Sequence, residues 1–195
     1  MPTELEIILD KIKALEQELI GELHKQQEEF AYSIQKRRIH FEENVVLRQK
    51  EYLKQLLDYI HDAPIKHILC APFIWLCIFP VLLLDVTASL YHQICFPIYN
   101  IPKVKRSDYI VFDTQYLHYL NIFEKINCGY CSYVNGLTGY LQEIAARTEQ
   151  FWCPIKHAKR IKSLHSRYYK FVDYGDAKQY RSQIESIRRD FNDLN

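Results

Sequence analysis

Residues 68–84 read ILCAPFIWLCIFPVLLL, seventeen positions in a row without a charge. No other stretch limits the possible folds of the chain so strongly. Seventeen is the low end for a helix that crosses a bilayer, and counting through Asp85 extends it past twenty when the milder apolar run to Tyr99 is added. Buried helices of soluble proteins are rarely apolar on every side. From His67 to Tyr99 there are 33 residues, ~50 Å as helix at ~1.5 Å per residue, too much for one crossing of a ~30 Å core and too little for two. One span with an interfacial tail fits, and so does a re-entrant hairpin bent at Pro80. Asp85, near the end of the uncharged run, is expected at headgroup level rather than as a functional charge at membrane depth. Pro97 and Pro102 are expected to stop the helix. Lys103, Lys105 and Arg106 follow at once, which places the downstream side in the cytoplasm.

Ahead of this run, residues 3–60 contain no proline and one glycine, Gly21. Ile8, Leu19, Phe30, Phe41 and Tyr52 are each eleven apart, and so are Ile12, Leu23, Ile34, Val45 and Leu56. Eleven residues in three turns keep an apolar stripe straight on an α-helix. The spacing predicts one long helix with a capping box at Thr3 and Glu6, ~85 Å if unbroken. Its centre is polar (Gln26 to Glu29, Lys36 to Arg38), so the seam is weakest there. A stripe of this length calls for a partner, either another copy or the C-terminal helix.

Charge is almost balanced, 25 basic against 24 acidic residues, and gives no reason to expect a nucleic-acid partner. Its distribution is uneven. Residues 1–66 carry 10 basic and 13 acidic side chains and residues 100–195 carry 15 and 10. A basic C-terminal part beside an apolar segment suits an anionic membrane face. The N-terminus is acidic and amphipathic and has no cleavable signal character. Cys70, Cys77 and Cys95 lie in apolar surroundings and read as small hydrophobes, so a disulfide framework is not expected.

Helical periodicity returns at Tyr116 and lasts to the Cys153-Pro154 break, as one helix or as two with a bend near Asn135-Gly136. Opposite its apolar side, Asn121, Glu124, Cys128, Cys131, Asn135, Thr138, Gln142 and Glu149 fall in one stripe that has no lysine. Gly129, Gly136 and Gly139 would let another helix approach closely. The window Cys128–His157 holds Cys128-x2-Cys131 and Cys153-x3-His157, thiolates and an imidazole of the kind zinc prefers. If the chain turns back at Cys153-Pro154, Cys128, Cys131, Cys153 and His157 make a Cys3His site. Glu149 is a further ligand, which would favour iron. Two other readings stand beside it. Cys128-x2-Cys131 could serve thiol redox chemistry, or the cysteines only pack in a membrane scaffold. Whether the chain is an enzyme is left open. Asp173-Tyr174-Gly175-Asp176 reads as a turn and cap, followed by an amphipathic helix with Ala177, Tyr180, Ile184, Ile187 and Phe191 on one side.

The run Cys128-x-Tyr130-Cys131-x-Tyr133-x-Asn135-Gly136, followed by Glu143-Ile144-Ala145-Ala146-Arg147-Thr148-Glu149-Gln150-Phe151-Trp152-Cys153-Pro154-Ile155-Lys156-His157, resembles an uncharacterised family of small bacterial integral-membrane proteins. The similar stretch covers about Ala71 to His165 and leaves the N-terminal segment outside. The resemblance implies membrane residence and no particular chemistry.

The expected architecture is therefore all-α. A coiled-coil helix over 1–62 leads to a membrane-embedded segment over 64–101, a Cys/His-bearing helical domain over 107–170 and an amphipathic helix over 171–195. The expected function is that of a membrane-anchored protein with a structural or regulatory zinc (or iron) site. Its partners would be the lipid bilayer and a second copy or helical partner along the N-terminal coil, and its C-terminal domain would be cytoplasmic.

Overall fold

The computed structural model describes residues 4–30, 32–35 and 38–194. The chain divides into two compact units, Met1–Asp62 with Asp113–Asn127, and Ala63–Phe112 with Cys128–Asn195. Both are mostly helical, and the first also holds a β-hairpin.

In the first unit, α1 covers Glu4–Glu29. Ile12, Leu15, Leu19, Ile20 and Leu23 lie along it exposed. The expected capping box falls outside the described residues, Thr3 by its backbone and Glu6 by its side chain. The helix does not run unbroken to residue 60. Strands β1 (Tyr32–Gln35) and β2 (Arg38–Phe41) pair antiparallel, with Tyr32 opposite Phe41 and Ile34 opposite Ile39. The reason is local. In Tyr-Ser-Ile and Ile-His-Phe, aromatic and β-branched residues alternate with polar ones, a period of two that suits a pleated surface, and the Tyr32 and Phe41 rings sit 5.7 Å apart. The eleven-residue spacing of Phe30, Ile34, Phe41 and Val45 is therefore no single helical stripe. Short helices α2 (Glu43–Glu51) and α3 (Leu56–His61) follow. Residues 113–121 pack beside them, the His118 backbone N–H donating to Gln49 Oε1 at 3.0 Å and its ring lying edge-on to Phe41.

The second unit opens with α4 (Ile65–Leu76) and α5 (Ile78–Ile98). They are separated only by Cys77, whose φ of −62° and ψ of −15° stay helical. Pro80 supplies no N–H to the turn before it, which is why the ladder loosens there, but the chain does not fold back as a hairpin. Together they form one 34-residue helix, Ile65–Ile98, long and apolar enough to cross a membrane. Pro97 lies inside α5 and does not end it. Asn100 does, at φ +55°: the N–H of Ile101 reaches back to the Phe96 carbonyl at 2.9 Å, a left-handed C-terminal cap.

After that cap the chain runs back along α5 in an irregular linker, residues 99–112, that fills the space between α5 and α6 (Ile122–Trp152). The core forms along this seam from Phe96, Ile101, Val104, Leu137, Tyr140, Ile144 and Phe191. Gly136 is where the linker crosses α6. A Cβ there would stand 2.6 Å from the Tyr109 carbonyl oxygen and 2.9 Å from Ile110 Cα. At Gly136 the close neighbour is thus the linker backbone rather than another helix, at Gly139 it is the Tyr109 ring, and at Gly129 nothing lies within 4 Å. α6 itself is unbroken through Asn135-Gly136. It starts later than its periodicity suggests, because Asn121 and Glu124 cap it reciprocally: Asn121 Oδ1 accepts from the Glu124 N–H at 3.0 Å and Glu124 Oε2 from the Asn121 N–H at 2.9 Å. α7 (Ala177–Arg189) begins as expected, with Asp176 accepting from the Gln179 N–H at 2.8 Å after Gly175 at φ +88°.

Candidate functional site

On α5 the polarity of the two faces is inverted. Val86, Leu90, Ile94 and Ile98 are exposed, whereas Asp85, His92 and Phe96 are buried. Positions 85, 89 and 92 are spaced i, i+4 and i+7, so their side chains share the inward face.

Asp85 is fully engaged there. Both its oxygens accept from Arg106, Nη1 to Oδ1 at 2.5 Å and Nη2 to Oδ2 at 2.6 Å. Tyr133 OH donates to Oδ2 at 2.6 Å and Ser89 Oγ to Oδ1 at 3.1 Å. Arg106 comes from the returning linker and Tyr133 from α6, so one carboxylate ties three segments together. That hydrogen bond to Asp85, opposed by partial burial, raises the Arg106 pKa further above its usual range. Asp85 is thus a largely buried ion-pair partner, and Arg106, read above with Lys103 and Lys105 as a basic cluster, pairs with it.

Two turns further on, His92 Nε2 accepts the backbone N–H of Val104 at 2.9 Å. An accepting Nε2 places the ring proton on Nδ1, which faces Tyr140 OH at 3.1 Å. His92 is thus a neutral positioning group for the linker. Tyr91 OH meets Thr148 Oγ1 at 3.0 Å, and Tyr99 stacks on Phe151 at 5.1 Å. These contacts match successive parts of α5 with successive parts of α6, so the two helices run in the same direction.

The residues singled out for metal binding are not brought together. Because α6 is one straight helix, Cys131 and Cys153, 22 residues apart, are separated by ~33 Å along its axis at ~1.5 Å per residue. The turn back at Cys153-Pro154 cannot close that gap. Glu149 faces His165, Oε2 to Nε2 at 3.1 Å. The His157 ring stacks on Tyr168, with its backbone N–H donating to Tyr168 OH at 2.7 Å. Cys131 and Cys153 are exposed and Cys128 half-buried. Among the described residues, no group of three or more His, Cys, Asp or Glu side chains is gathered to hold a metal ion.

No family model, curated protein or solved structure matches the chain. Its function is therefore argued from its own geometry.

The run Arg147–His157, the most distinctive in the sequence, is instead a docking hub. Arg147 is buried; its Nε donates to Glu143 Oε1 and its Nη1 to the Pro102 carbonyl, each at 2.8 Å. Glu143 also accepts from Ser166 Oγ at 2.8 Å. Gln150, with none of its surface exposed, donates from Nε2 to the Ile187 and Asp190 carbonyls, 2.8 Å each, and so closes the C-terminal end of α7. Pro154 and Lys156 exchange backbone hydrogen bonds with Val172, at 2.9 and 2.8 Å. Nearby, buried Arg167 grips Asp193 with both terminal nitrogens, at 2.8 and 2.6 Å. A cleft of about 290 Å³ lined by Tyr109, Gly139, Gln142, Glu143, Leu164, His165 and Ser166 opens beside α6. Of all this, only the Glu143-to-Arg147 spacing of four along a helix could be read from sequence; the partners of Gln150 and Arg167 lie more than twenty residues away.

Proposed function

We propose that this protein is a membrane-anchored helical scaffold, held in the bilayer by Ile65–Ile98 and presenting its N-terminal helix to a partner. The single observation carrying this reading is the inverted polarity of α5. Its charge and its imidazole are turned inward and satisfied by Arg106, Tyr133, Ser89, Tyr140 and the Val104 N–H, while aliphatic side chains are turned out. That arrangement suits lipid, in which every polar group must find its partner inside the protein. The return linker fits too, because non-helical backbone at membrane depth is tolerated where protein covers it. Near the junction of α4 and α5, Tyr130 OH donates to the Ile74 carbonyl at 3.0 Å, the kind of side-chain support that loosened membrane helices draw from a neighbour.

On α6, Tyr133, Tyr140, Glu143, Arg147 and Gln150 are engaged in joining segments, which favours a scaffold over a catalyst and over a structural metal centre. The exposed apolar stripe of α1, from Ile12 to Leu23, is the interaction arm, and a second copy of the chain is its simplest occupant. The excess of lysine and arginine after residue 100 favours a cytoplasmic C-terminal part. Alkaline carbonate extraction of native membranes is the test. The chain is expected to stay in the pellet, and its release as a monodisperse soluble species would overturn the anchor.

A further inference from the structure

We propose that the loop 157–164 is a docking surface for the anionic lipid headgroups of the leaflet that meets the C-terminal end of α5. This rests on the membrane reading above.

The loop follows directly from the end of α6, where Tyr99 at the end of α5 stacks on Phe151 and meets Trp152 edge-on. Trp152 is about half exposed, and exposed aromatic rings of this kind sit at the level of headgroups. Beyond them the chain is pinned at both feet. The bridge of Ile155 to Val172 and the His157–Tyr168 bond hold one side; Ser166 on Glu143 and His165 on Glu149 hold the other. Between the feet every residue from His157 to Leu164 is exposed.

This span, HAKRIKSL, has three cations, Lys159, Arg160 and Lys162, and no acid. The structure pairs the other basic side chains nearby: Lys156 with Asp173, Arg167 with Asp193, and Lys170 with Asp190 and Asp193. Among the described residues Lys159, Arg160 and Lys162 have no hydrogen-bond or ion-pair partner. Ile161 and Leu164 stand out between and after them, and Tyr174 joins His157 and Ile161 in lining a cleft of about 420 Å³ at the foot of the loop. Free cations alternating with exposed aliphatic and aromatic side chains complement a surface of lipid phosphates lying over acyl chains. A nucleic acid would match the charge but leave Ile161 and Leu164 without a partner. Each basic residue at an anionic leaflet adds roughly fivefold to partition, so three add on the order of a hundredfold.

The test is amide hydrogen exchange of the full chain in lipid nanodiscs, either of phosphatidylcholine alone or doped with phosphatidylglycerol. Amides of 158–164 are expected to exchange about tenfold more slowly in the anionic discs, with amides of α1 unchanged. About 1 M salt, which shortens screening to ~3 Å, should remove the difference. So should K159Q/R160Q/K162Q, whose changes are confined to exposed side chains. Equal exchange in both discs would overturn the proposal. Equal protection in phosphatidylcholine discs on adding inorganic phosphate, or a short single-stranded RNA, would also overturn it by assigning the loop to a soluble ligand. A chain that enters neither disc would refute the membrane reading itself, and this inference with it.

Discussion

Gly136 and Gly129 lie two turns apart on α6, and the same substitution is expected to act on them with opposite sign. At Gly136 a methyl group would stand 2.6 Å from the Tyr109 oxygen and 2.9 Å from Ile110 Cα. Both are backbone atoms in a linker fixed just upstream, by Arg106 on Asp85 and by Val104 on His92, so no flexible side chain can give way. Overpacking of this kind costs ~1–3 kcal/mol, and the ~1 kcal/mol by which alanine favours a helix over glycine offsets part of it. Gly136→Ala is therefore expected to destabilise by up to ~2 kcal/mol. At Gly129 nothing lies within 4 Å of an added Cβ, so Gly129→Ala should gain up to ~1 kcal/mol from helix propensity alone. Thermal unfolding in mild detergent, followed by circular dichroism, reads both. For a chain of this size ~1 kcal/mol moves the midpoint by roughly 2–4 °C, so the two variants should straddle the wild type. If Gly136→Ala melts at or above Gly129→Ala, the linker does not cross α6 at this point.

The Asp85 ion pair should matter more to its deeper partner. Asp85's side chain is 12% exposed and Arg106's 41%. Breaking a buried pair costs ~3–5 kcal/mol, and solvent at Arg106 reduces this to ~1–3 kcal/mol for Asp85→Ala. Arg106→Ala, which strands the carboxylate, is expected to cost at least as much by the same melt, and an Asp85→Ala variant as stable as wild type would remove Asp85 from its proposed role. The Asp193 carboxyl titrates below its ordinary 3.8: burial works against the charge, but Lys170, its own backbone N–H and Arg167 outweigh it. A lowered folded pKa means the stabilisation is complete above about pH 5 and is lost as pH falls below 3.8. Exchange of the amides after Ile187 should accelerate in that acid range in wild type but not further in Asp193→Asn, whose amides exchange faster already at neutral pH; parallel profiles would refute the pairing. Chelator should leave the melting temperature unchanged, since Cys131 and Cys153 stand ~33 Å apart on one helix, and stoichiometric zinc released by it would restore the Cys3His site.

What could be read in the sequence was what depends on short range. The uncharged run, the Cys153-Pro154 stop and the Asp176 cap each follow from a few adjacent residues, and the structure has them. The hairpin is hidden because Phe30, Ile34, Phe41 and Val45 fit the helical spacing as well, and the sequence between the strands, Lys36-Arg37, has no glycine or proline to announce it. The Cys/His set failed for a complementary reason. Its ligands were gathered by nearness in sequence, whereas a rigid helix turns twenty residues of sequence into distance. Asp85 and Arg106 are 21 residues apart, yet only the folding back of the linker after Asn100 brings them together.

The same geometry decides what must surround α4 and α5. Leu82, Leu83 and Leu84 are consecutive and 45, 66 and 53% exposed. Successive residues lie ~100° apart on a helix, so the exposed apolar arc there is at least ~200° wide. A helical partner covers a stripe of ~100°, and even a second copy pressed against one side would leave much of this arc in water. From Ile65 to Ile98 fifteen large hydrophobic side chains stand exposed. At ~1–2 kcal/mol for each half-buried side chain, that is ~15–30 kcal/mol of apolar surface, more than the 5–15 kcal/mol by which a domain is ordinarily stable. A fold with this much surface in water would collapse onto it, and the one carboxylate on the helix, Asp85, would then be the group left outside. Instead Asp85 is the group held inside. A medium that encircles the helix and excludes charge resolves both facts together, which is what the proposed bilayer anchor supplies.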